Sequence, residues 1–417
     1  MNKAGLDAAA NYLSFMLLGL SAVLANFVIV SVWGVSALGA FNQVVAVYIV
    51  IAQFSVLGQQ NVMLHDAAHH ASDRPLFTAS LTGALAIAIL MSTFAALLLV
   101  LLSGPIADLL GSADVKTGLL LIAPALIFTS VVKVAMQTLN GLGRVRLYAV
   151  VQGTRPVLIV GGLVAAVWTD MAPDRLPLIM TLAEAGTMVV ALVLLLRASP
   201  LAGPKALGGR LRYLLAFGVK SSPAGLLGEL NTRVDYFVLG IFASDAVVGA
   251  YSFAAAFAEG FFMAMAVLRI LLTPALAEVL KGGNPEVFRS FATNWKWRAG
   301  ALGFGLFAAS TMAYWVGLDL FDAPPLLKDS LVYYAILAFG VALAGAYAPF
   351  GNILLLANRP GLHSIYFSGL VLVNAVGNFI LTPLFGPVGT ASATMLAYVA
   401  SAGWLILICR RTLGLPL

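Results

Sequence analysis

Long apolar runs follow one another along almost the whole sequence, with little chain between them. A run of roughly 20 apolar residues is long enough to cross the hydrocarbon core of a bilayer as a helix. Of the 417 residues, 61% are hydrophobic and only 10% are charged, whereas soluble domains carry about 25% charged residues. Because no soluble core can bury so much apolar surface, the sequence predicts an all-α integral membrane protein without a separate soluble domain.

The runs divide into about twelve predicted spans, whose edges lie where apolar residues give way to polar ones. Their approximate bounds are 11–33, 40–63, 77–103, 117–139, 147–168, 177–197, 214–241, 247–277, 299–318, 330–355, 365–385 and 388–409. The first run is too long for the apolar part of a signal peptide, so we expect it to be retained. The stretch 199–213 is basic and rich in Pro and Gly, as a connector is. We therefore predict two six-helix lobes, 1–198 and 214–417, joined by a cytoplasmic linker.

Basic residues set the predicted orientation, because cytoplasmic loops of membrane proteins are enriched in Lys and Arg. Fifteen basic residues fall in one set of loops and ends, and three, Lys116, Arg175 and Lys328, fall in the other. Both termini of this multi-pass protein are therefore predicted to be cytoplasmic. The same bias explains the net charge of +6, so membrane lipids rather than nucleic acid are the expected surroundings.

A weak internal repeat relates the two predicted lobes. Residues 27–41 read FVIVSVWGVSALGAF, and residues 237–251 read FVLGIFASDAVVGAY. Each stretch pairs the end of one predicted span with the start of the next. Duplicated halves in parallel orientation are a transporter plan, and a chance match between two apolar segments is the alternative.

The longest predicted cytoplasmic loop, 278–298, contains a helix-start signal at Asn284 and Pro285. Its aromatic residues could share one face while its basic residues reach lipid headgroups. We expect either a short helix lying on the inner leaflet or an ordinary loop with aromatic anchors.

Nine charged residues fall inside the predicted spans. Each would cost about 2.5–3.5 kcal/mol at the bilayer centre if it faced lipid, so they must face one another or a hydrated cavity. The set is Lys133, Arg155, Lys220, Arg233 and Arg269, with Glu184, Glu229, Asp235 and Glu259. Most of the basic members fall in the cytoplasmic half of their spans. Because Arg stays charged in a poor dielectric and binds phosphate through two parallel hydrogen bonds, the set is a candidate lining for a diphosphate site.

Simpler interpretations of some of these charges stay open. Glu229 and Arg233 are four residues apart and would be neighbours on one helix face, so they form an internal ion pair on this interpretation. Lys220 and Arg269 would snorkel to the inner surface. Asp235 lies on a different face from Arg233 and must find its partner elsewhere.

The remaining polar features give little chemistry. His65 and His69 have the spacing of helical metal ligands, but their loop is solvated, and we expect no metal site. The polar run 59–61 either binds sugar or packs between helices, and packing is the favoured interpretation. The single Cys409 excludes an intrachain disulfide. No phosphate-binding loop of the G-x-x-x-x-G-K-[ST] type occurs, so no nucleotide cofactor is expected.

Three stretches resemble the polysaccharide-biosynthesis (O-antigen, or oligosaccharidyl-lipid) flippases of the multidrug/oligosaccharidyl-lipid/polysaccharide exporter superfamily. Residues 231–259 read NTRVDYFVLGIFASDAVVGAYSFAAAFAE and resemble the family's seventh-to-eighth-helix signature. Residues 374–399, NAVGNFILTPLFGPVGTASATMLAYV, resemble its eleventh-to-twelfth-helix stretch. Residues 139–152, LNGLGRVRLYAVVQ, resemble its fourth-to-fifth-helix connection. In the first stretch the matching positions are Asn231, Arg233, Asp235, Val248, Gly249 and Tyr251, with Glu259 beyond.

This resemblance implies two six-helix lobes around a central cavity. It also implies transport by alternating access of an undecaprenyl-diphosphate-linked oligosaccharide across the bacterial inner membrane, for O-antigen, capsule or exopolysaccharide synthesis. Polysaccharide polymerases or ligases would be partners. The expected diphosphate and glycan ligands are Arg155, Arg233, Lys133, Arg269 and Lys220. The expected binders of a coupling H⁺ or Na⁺ are Glu184, Asp235, Glu259 and Glu229.

Two rival functions remain at this point. A cation-coupled multidrug exporter would share the fold and the length. A polytopic membrane glycosyltransferase or polymerase would need acidic or basic catalytic groups in a substantial outer loop, and the predicted outer loops carry no paired acid and base. We therefore expect a transporter and not an enzyme.

Overall fold

The computed structural model describes residues 19–198, residue 201 and residues 209–417. Within those ranges the chain is almost entirely α-helical and contains no strand. Contacts group the chain into two compact units, Met1–Glu229 and Leu230–Leu417. The predicted linker falls mostly outside the described residues, and its bounds stay a prediction.

The helices of the first unit are α1 to α8, and α9 begins in that unit and ends in the second. They are α1 (Gly19–Trp33), α2 (Val35–Ser55), α3 (Gln59–His70), α4 (Arg74–Leu109), α5 (Ala113–Ile122), α6 (Ala125–Gly141), α7 (Val145–Trp168), α8 (Pro177–Ala198) and α9 (Leu211–Phe242). The second unit continues with α10 (Asp245–Lys281), α11 (Pro285–Leu320), α12 (Pro325–Gly345), α13 (Ile353–Leu356) and α14 (Pro360–Ile408).

The predicted membrane spans are found as helices. Among the described residues, eight helices are long and apolar enough to cross a membrane, and the bent pair α5 and α6 makes a ninth. The other predicted spans are the first, described only from Gly19, the charged helix α9, and the twelfth, which is continuous with the eleventh in α14. Gly386 separates those two legs at φ 57 and ψ −139, a conformation that glycine adopts without steric cost. The all-α membrane architecture is confirmed.

Three spans predicted as single helices are broken. The tenth, predicted as 330–355, ends its long helix α12 at Gly345 and continues through the 3₁₀ helix Ala348–Phe350 into α13. The second span divides into α2 and α3 around Leu57 and Gly58, which have φ of 46 and 68. The fourth divides into α5 and α6, which meet at a bend of 48° beside Pro124, a residue without an N–H to donate. No charged residue lies at the breaks at Gly58 and Pro124, so a span predicted from hydropathy runs across them.

The segment 284–298 is neither a separate surface helix nor a loop. The Asn284 side chain accepts hydrogen bonds from the backbone N–H of Glu286 and Val287, which caps α11 as the sequence predicted. The helix then runs without a break to Leu320, and Phe288 in its first turns is buried. The expected separate inner-leaflet helix is therefore wrong, since this segment is continuous with the helix of the ninth span.

The internal repeat occupies the same structural position in each unit. In the first unit it covers the end of α1 at Trp33, a bend at Gly34 and the start of α2. In the second it covers the end of α9 at Phe242 and the start of α10 at Asp245. The predicted pairing of a span end with a span start is confirmed at both places.

Small residues allow close helix packing in the first unit, as is common between helices in lipid. A buried cluster joins α4 and α6 through residues such as Ala84, Ala88 and Ala135. Gly141 ends α6 against α3, where an added Cβ would lie 2.7 Å from the Leu64 carbonyl oxygen.

We predict that Gly141→Ala lowers the stability of the protein by about 1–3 kcal/mol, because the new methyl group overpacks a backbone contact. Thermal unfolding in detergent measures the change. Gly161→Ala is the matched control, since a Cβ there meets nothing within 4 Å and alanine is the better helix former. Equal unfolding temperatures in both variants would contradict the packing described here.

Candidate functional site

A buried carboxylate joins three helices of the first unit. The Tyr48 hydroxyl of α2 donates a 2.9 Å hydrogen bond to Glu184 Oε1 of α8. Arg155 Nε of α7 lies 2.9 Å from the same oxygen, with the Glu184 side chain 1% exposed and the Arg155 side chain 31% exposed. Arg155 and Glu184 therefore form an ion pair in which the Glu184 carboxylate is buried and the Arg155 guanidinium is partly exposed.

A second cation lies beside this pair. Lys133 of α6 donates from Nζ to Gln53 Oε1 at 2.8 Å and to the Ala52 carbonyl oxygen at 3.3 Å. Its charge also interacts with those of Glu229, Arg155 and Glu184. Both hydrogen-bond partners are neutral, and among the described residues Lys133 forms no contact ion pair. We call Tyr48, Gln53, Lys133, Arg155 and Glu184 the basic cluster.

The second unit holds a carboxylate of a different kind. Asp235 of α9 is buried, and the Tyr251 hydroxyl of α10 donates to its Oδ2 at 2.9 Å. The backbone N–H of Tyr236 donates to Oδ1 at 3.0 Å. The sequence required Asp235 to find a partner away from Arg233, and Tyr251 is that partner.

Arg233 is paired more loosely than Arg155. Its Nη1 lies 3.9 Å from Glu259 Oε1, and the Glu259 side chain is half exposed. The guanidinium also lies over the Tyr236 ring, 5.5 Å from the ring centroid. This ion-pair partner comes from the next helix, α10.

A row of buried polar side chains, the polar ladder, runs along α14 and contacts α9 at Asn231. Asn374 Nδ2 donates to the Asn231 carbonyl oxygen at 3.0 Å, and Asn378 Nδ2 donates to Asn374 Oδ1 at 3.0 Å. Further along, the Thr382 and Thr390 hydroxyls lie 2.9 Å apart. Sequence reasoning missed this ladder. Its signal was the spacing of four between Asn374, Asn378 and Thr382 in an otherwise apolar run.

Arg269 and Lys220 do not join either cluster through a contact. Arg269 of α10 lies against the backbone of Gly351, and its charge acts on His363 and Tyr366. Lys220 is exposed on α9. Neither side chain forms an ion pair with any residue that the structure describes. The structure therefore brings Lys133, Arg155 and Glu184 together, and the ligand roles of Arg269 and Lys220 stay predictions.

A third ionic cluster lies beyond the end of the second predicted span. Asp66 of α3 is fully buried and accepts hydrogen bonds from Arg210 Nη2 at 2.8 Å and from the Tyr213 hydroxyl at 2.9 Å. Arg210 Nε also donates to Ser80 Oγ of α4 at 2.9 Å. These contacts fasten the start of α9 to α3 and α4, and we call them the Asp66 latch.

The polar residues around the latch act in packing. Asn61 Nδ2 donates to the Ser221 carbonyl oxygen at 3.2 Å, and Gln59 Nε2 donates to the Leu214 carbonyl oxygen at 3.2 Å. His65, Asp66 and His70 bring ligand atoms within 4.8 Å of one another. A metal ion there would have to displace Arg210 from Asp66, so the favoured interpretation of this polar stretch remains helix packing.

Burial alone would raise the pKa of Asp66. Hydrogen bonds from Ser80, Tyr213 and His65 and the charge of Arg210 outweigh it, so the pKa of Asp66 is lowered from its usual value. The carboxylate therefore contributes stability that is present at neutral pH. That contribution is lost as the pH falls through the lowered pKa.

Comparison with a protein family fits this architecture. The family described as polysaccharide biosynthesis protein matches residues 44–284, which is more than half of the chain. The chain belongs to the polysaccharide biosynthesis protein family. A comparison with curated proteins finds no match.

Solved structures show which fold this is. Lipid II flippase MurJ in an inward closed conformation matches with a TM-score of 0.78 at 14% identity, over 97% of this chain and 87% of that one. An inward-facing multidrug resistance MATE family transporter of the MOP superfamily matches with a TM-score of 0.68 at 14% identity, over 95% and 94%. A mutant of the Vibrio cholerae MATE transporter VcmN matches at 0.59 and 13% identity, over 98% of each chain. The predicted superfamily fold is confirmed.

We predict that Asp66→Asn destabilises the protein by about 3–5 kcal/mol at neutral pH, because the partly buried Arg210 loses its counter-charge. We also predict that the wild-type protein loses this contribution only below pH of about 4, near the usual Asp pKa, whereas Asp66→Asn has none to lose. Thermal unfolding in detergent across that range measures both. Asp108→Asn, at an exposed carboxylate, is the control, and an equal effect of the two substitutions would contradict the latch.

Proposed function

We propose that the protein is a flippase that moves an undecaprenyl-diphosphate-linked oligosaccharide across the bacterial inner membrane by alternating access. Its place in the polysaccharide biosynthesis protein family supports this function. The observation that carries the proposal is the basic cluster, where Arg155 pairs with buried Glu184 and the charge of Lys133 interacts with those of Glu229, Arg155 and Glu184. A polytopic membrane protein has no structural need for two cations at such a place.

The cluster offers the groups that a diphosphate requires. Arg155 is partly open, and its planar guanidinium can donate two parallel hydrogen bonds to phosphate oxygens. Lys133 is held by neutral oxygens, which a phosphate oxygen can replace with a gain of charge attraction. The sugar would cross in water while the polyprenyl tail stays in lipid, and no covalent bond is made or broken.

The second unit supplies candidates for the coupling ion. Asp235 is buried and accepts a hydrogen bond from the Tyr251 hydroxyl, and it lies four residues after Asn231, which binds Asn374. A buried carboxylate with oxygen-bearing neighbours can bind Na⁺, a hard cation that prefers oxygen ligands, and it can equally bind a proton. We assign Asp235 as the leading coupling group, ahead of Glu259, which is half exposed.

A second function is supported by the buried acids. Glu184 and Asp235 could each hold an organic cation, and the fold is shared with MATE multidrug transporters. A cation-coupled drug exporter would therefore need these two carboxylates and would tolerate loss of Arg155. The flippase would instead require Arg155.

We predict that Arg155→Ala and Arg233→Ala each reduce export of the lipid-linked glycan by tenfold or more, about 1.4 kcal/mol for each lost charge-assisted contact. The measurement is surface polysaccharide per cell, with the amount of protein in the membrane determined in parallel. Arg212→Ala, which removes an exposed arginine of α9, is the control and should leave export unchanged. Wild-type polysaccharide from both variants at normal protein levels would refute the diphosphate assignment.

We predict that Asp235→Asn abolishes the dependence of transport on an ion gradient while leaving diphosphate binding within about twofold of wild type. Glycan translocation into liposomes with an imposed H⁺ or Na⁺ gradient, alongside equilibrium binding of farnesyl diphosphate, separates the two effects. Glu259→Gln is the comparison. If it, and not Asp235→Asn, removes the gradient dependence, the coupling group is Glu259.

A further inference from the structure

Glu184 occupies the position that an anionic ligand of Arg155 would take. Its Oε1 lies 2.9 Å from Arg155 Nε, so the guanidinium is paired with an anion of the protein itself. A diphosphate that binds Arg155 must compete with this carboxylate for the same guanidinium. The structure therefore raises the question of what happens to Glu184 when the ligand is bound.

We propose that substrate displaces Glu184 from Arg155 and that Glu184 takes up one proton as it is released. This inference rests on the proposed diphosphate function of the basic cluster. It makes proton uptake part of ligand binding, and it assigns Tyr48 as the residue that positions the released carboxyl group.

The competition favours the ligand on the open side of the pair. The Arg155 side chain is 31% exposed, whereas Glu184 is 1% exposed. A diphosphate can thus approach the guanidinium without first exposing Glu184. It carries more negative charge than one carboxylate and offers several oxygens in the geometry of the arginine fork.

A released Glu184 cannot remain charged where it lies. Removing one partner of a buried ion pair leaves an uncompensated charge, which costs several kcal/mol. Its other oxygen, Oε2, is buried and has no hydrogen-bond partner among the described residues. A proton on Oε2 neutralises the group, and Oε1 can continue to accept from the Tyr48 hydroxyl.

No other described group replaces Arg155 as the partner of Glu184. The groups that face it are Tyr48 from α2, Lys133 from α6 and Arg155 from α7. Tyr48 is neutral, and Lys133 points its ammonium at Gln53 and Ala52. The helix α5 also packs on α8, where Thr181 donates to the Leu121 carbonyl oxygen.

The charges of α5, Asp114 and Lys116, lie in its first turn, about 10 Å along that helix from Leu121 at 1.5 Å per residue. The charges beside α8 in the short 3₁₀ helix Pro173–Arg175 lie about two turns before Glu184. Protonation is therefore the remaining way to neutralise the released carboxylate.

The proton balance fixes what this exchange can do. The Glu184 carboxylate takes one proton from solution when ligand binds and returns it when the Arg155 pair re-forms. The proton moves in the same direction as the substrate, so the exchange draws no energy from an inward proton gradient. Glu184 then acts in binding, and the driving ion belongs to a different group.

The test is calorimetric titration of the purified protein with inorganic pyrophosphate in buffers of different ionisation enthalpy. The slope of heat against buffer enthalpy counts protons taken up. We expect wild type to take up about one proton more per ligand than Glu184→Gln does. Protons gained or lost by pyrophosphate itself are common to both titrations, so they drop out of this difference. We also expect Glu184→Gln to bind about tenfold more tightly near neutral pH, because its neutral amide no longer competes for Arg155.

Two further variants keep the result interpretable. Asp108→Asn, at an exposed carboxylate with no role in either site, should match wild type in proton count. Glu184→Asp shortens the side chain and draws the carboxyl group away from Arg155, so by the same argument it is protonated before ligand binds. It should therefore bind more tightly than wild type and take up fewer protons per ligand than wild type does. It provides the comparison if Glu184→Gln does not fold.

Equal proton counts in wild type and Glu184→Gln, or weaker binding by Glu184→Gln and Glu184→Asp, would overturn the inference and leave the diphosphate site standing. No binding of pyrophosphate or farnesyl diphosphate by any folded variant, wild type included, would overturn the inference and the proposed function together.

Discussion

The structure depends on one constraint, the cost of an unpaired charge away from water. Each of its units satisfies that constraint around a buried carboxylate, and each does so differently. Glu184 is neutralised by Arg155, with Lys133 as a nearby second cation. Asp235 is held by a tyrosine hydroxyl and a backbone N–H, without a cation in hydrogen-bond contact among the described residues. Helices that are otherwise apolar therefore meet at fixed polar points, which set their registers.

This difference suits two different tasks. In the basic cluster, Arg155 is partly exposed and Lys133 is held by neutral oxygens, so the cluster is suited to an anion. Asp235 accepts from a tyrosine hydroxyl and a backbone N–H and has no cation in hydrogen-bond contact among the described residues, so it is suited to a small cation. Separating the two tasks between units of related sequence is consistent with a duplicated ancestor, since each unit carries the same span end and span start in its repeat. Under the proposed function, the basic cluster of the first unit binds the diphosphate, and Asp235 of the second unit binds the coupling ion.

The sequence was sufficient to predict the membrane fold, the spans and the set of buried charges, because lipid imposes a length and a cost that composition records directly. It was also sufficient to predict that Asp235 needs a distant partner. It could not supply the pairs themselves. Arg155 and Glu184 are joined by the packing of α7 on α8, and the predicted neighbour of Arg233 on its own helix, Glu229, is not the acid that lies 3.9 Å away from it.

Sequence patterns did not predict several other features, because these features lie outside the charged spans. Asp66 is in a polar stretch that resembles an ordinary solvated loop, and only folding brings Arg210 to it. The continuous helix α11 was predicted as two elements because the charge of its first turns resembles that of a surface segment. Gly58 and Pro124 add no charge to their spans, so the predicted spans run across the breaks. In each case tertiary contacts decide what local composition leaves open.

Reconstitution tests the central claim most directly. Liposomes that contain only this protein and a fluorescent undecaprenyl-diphosphate-linked oligosaccharide should move the glycan between leaflets, and excess pyrophosphate on the loading side should slow that movement. An organic cation should have no such effect. Movement of an organic cation, with no movement of the glycan and no effect of pyrophosphate, would contradict the account of Arg155 and Lys133 as a diphosphate site.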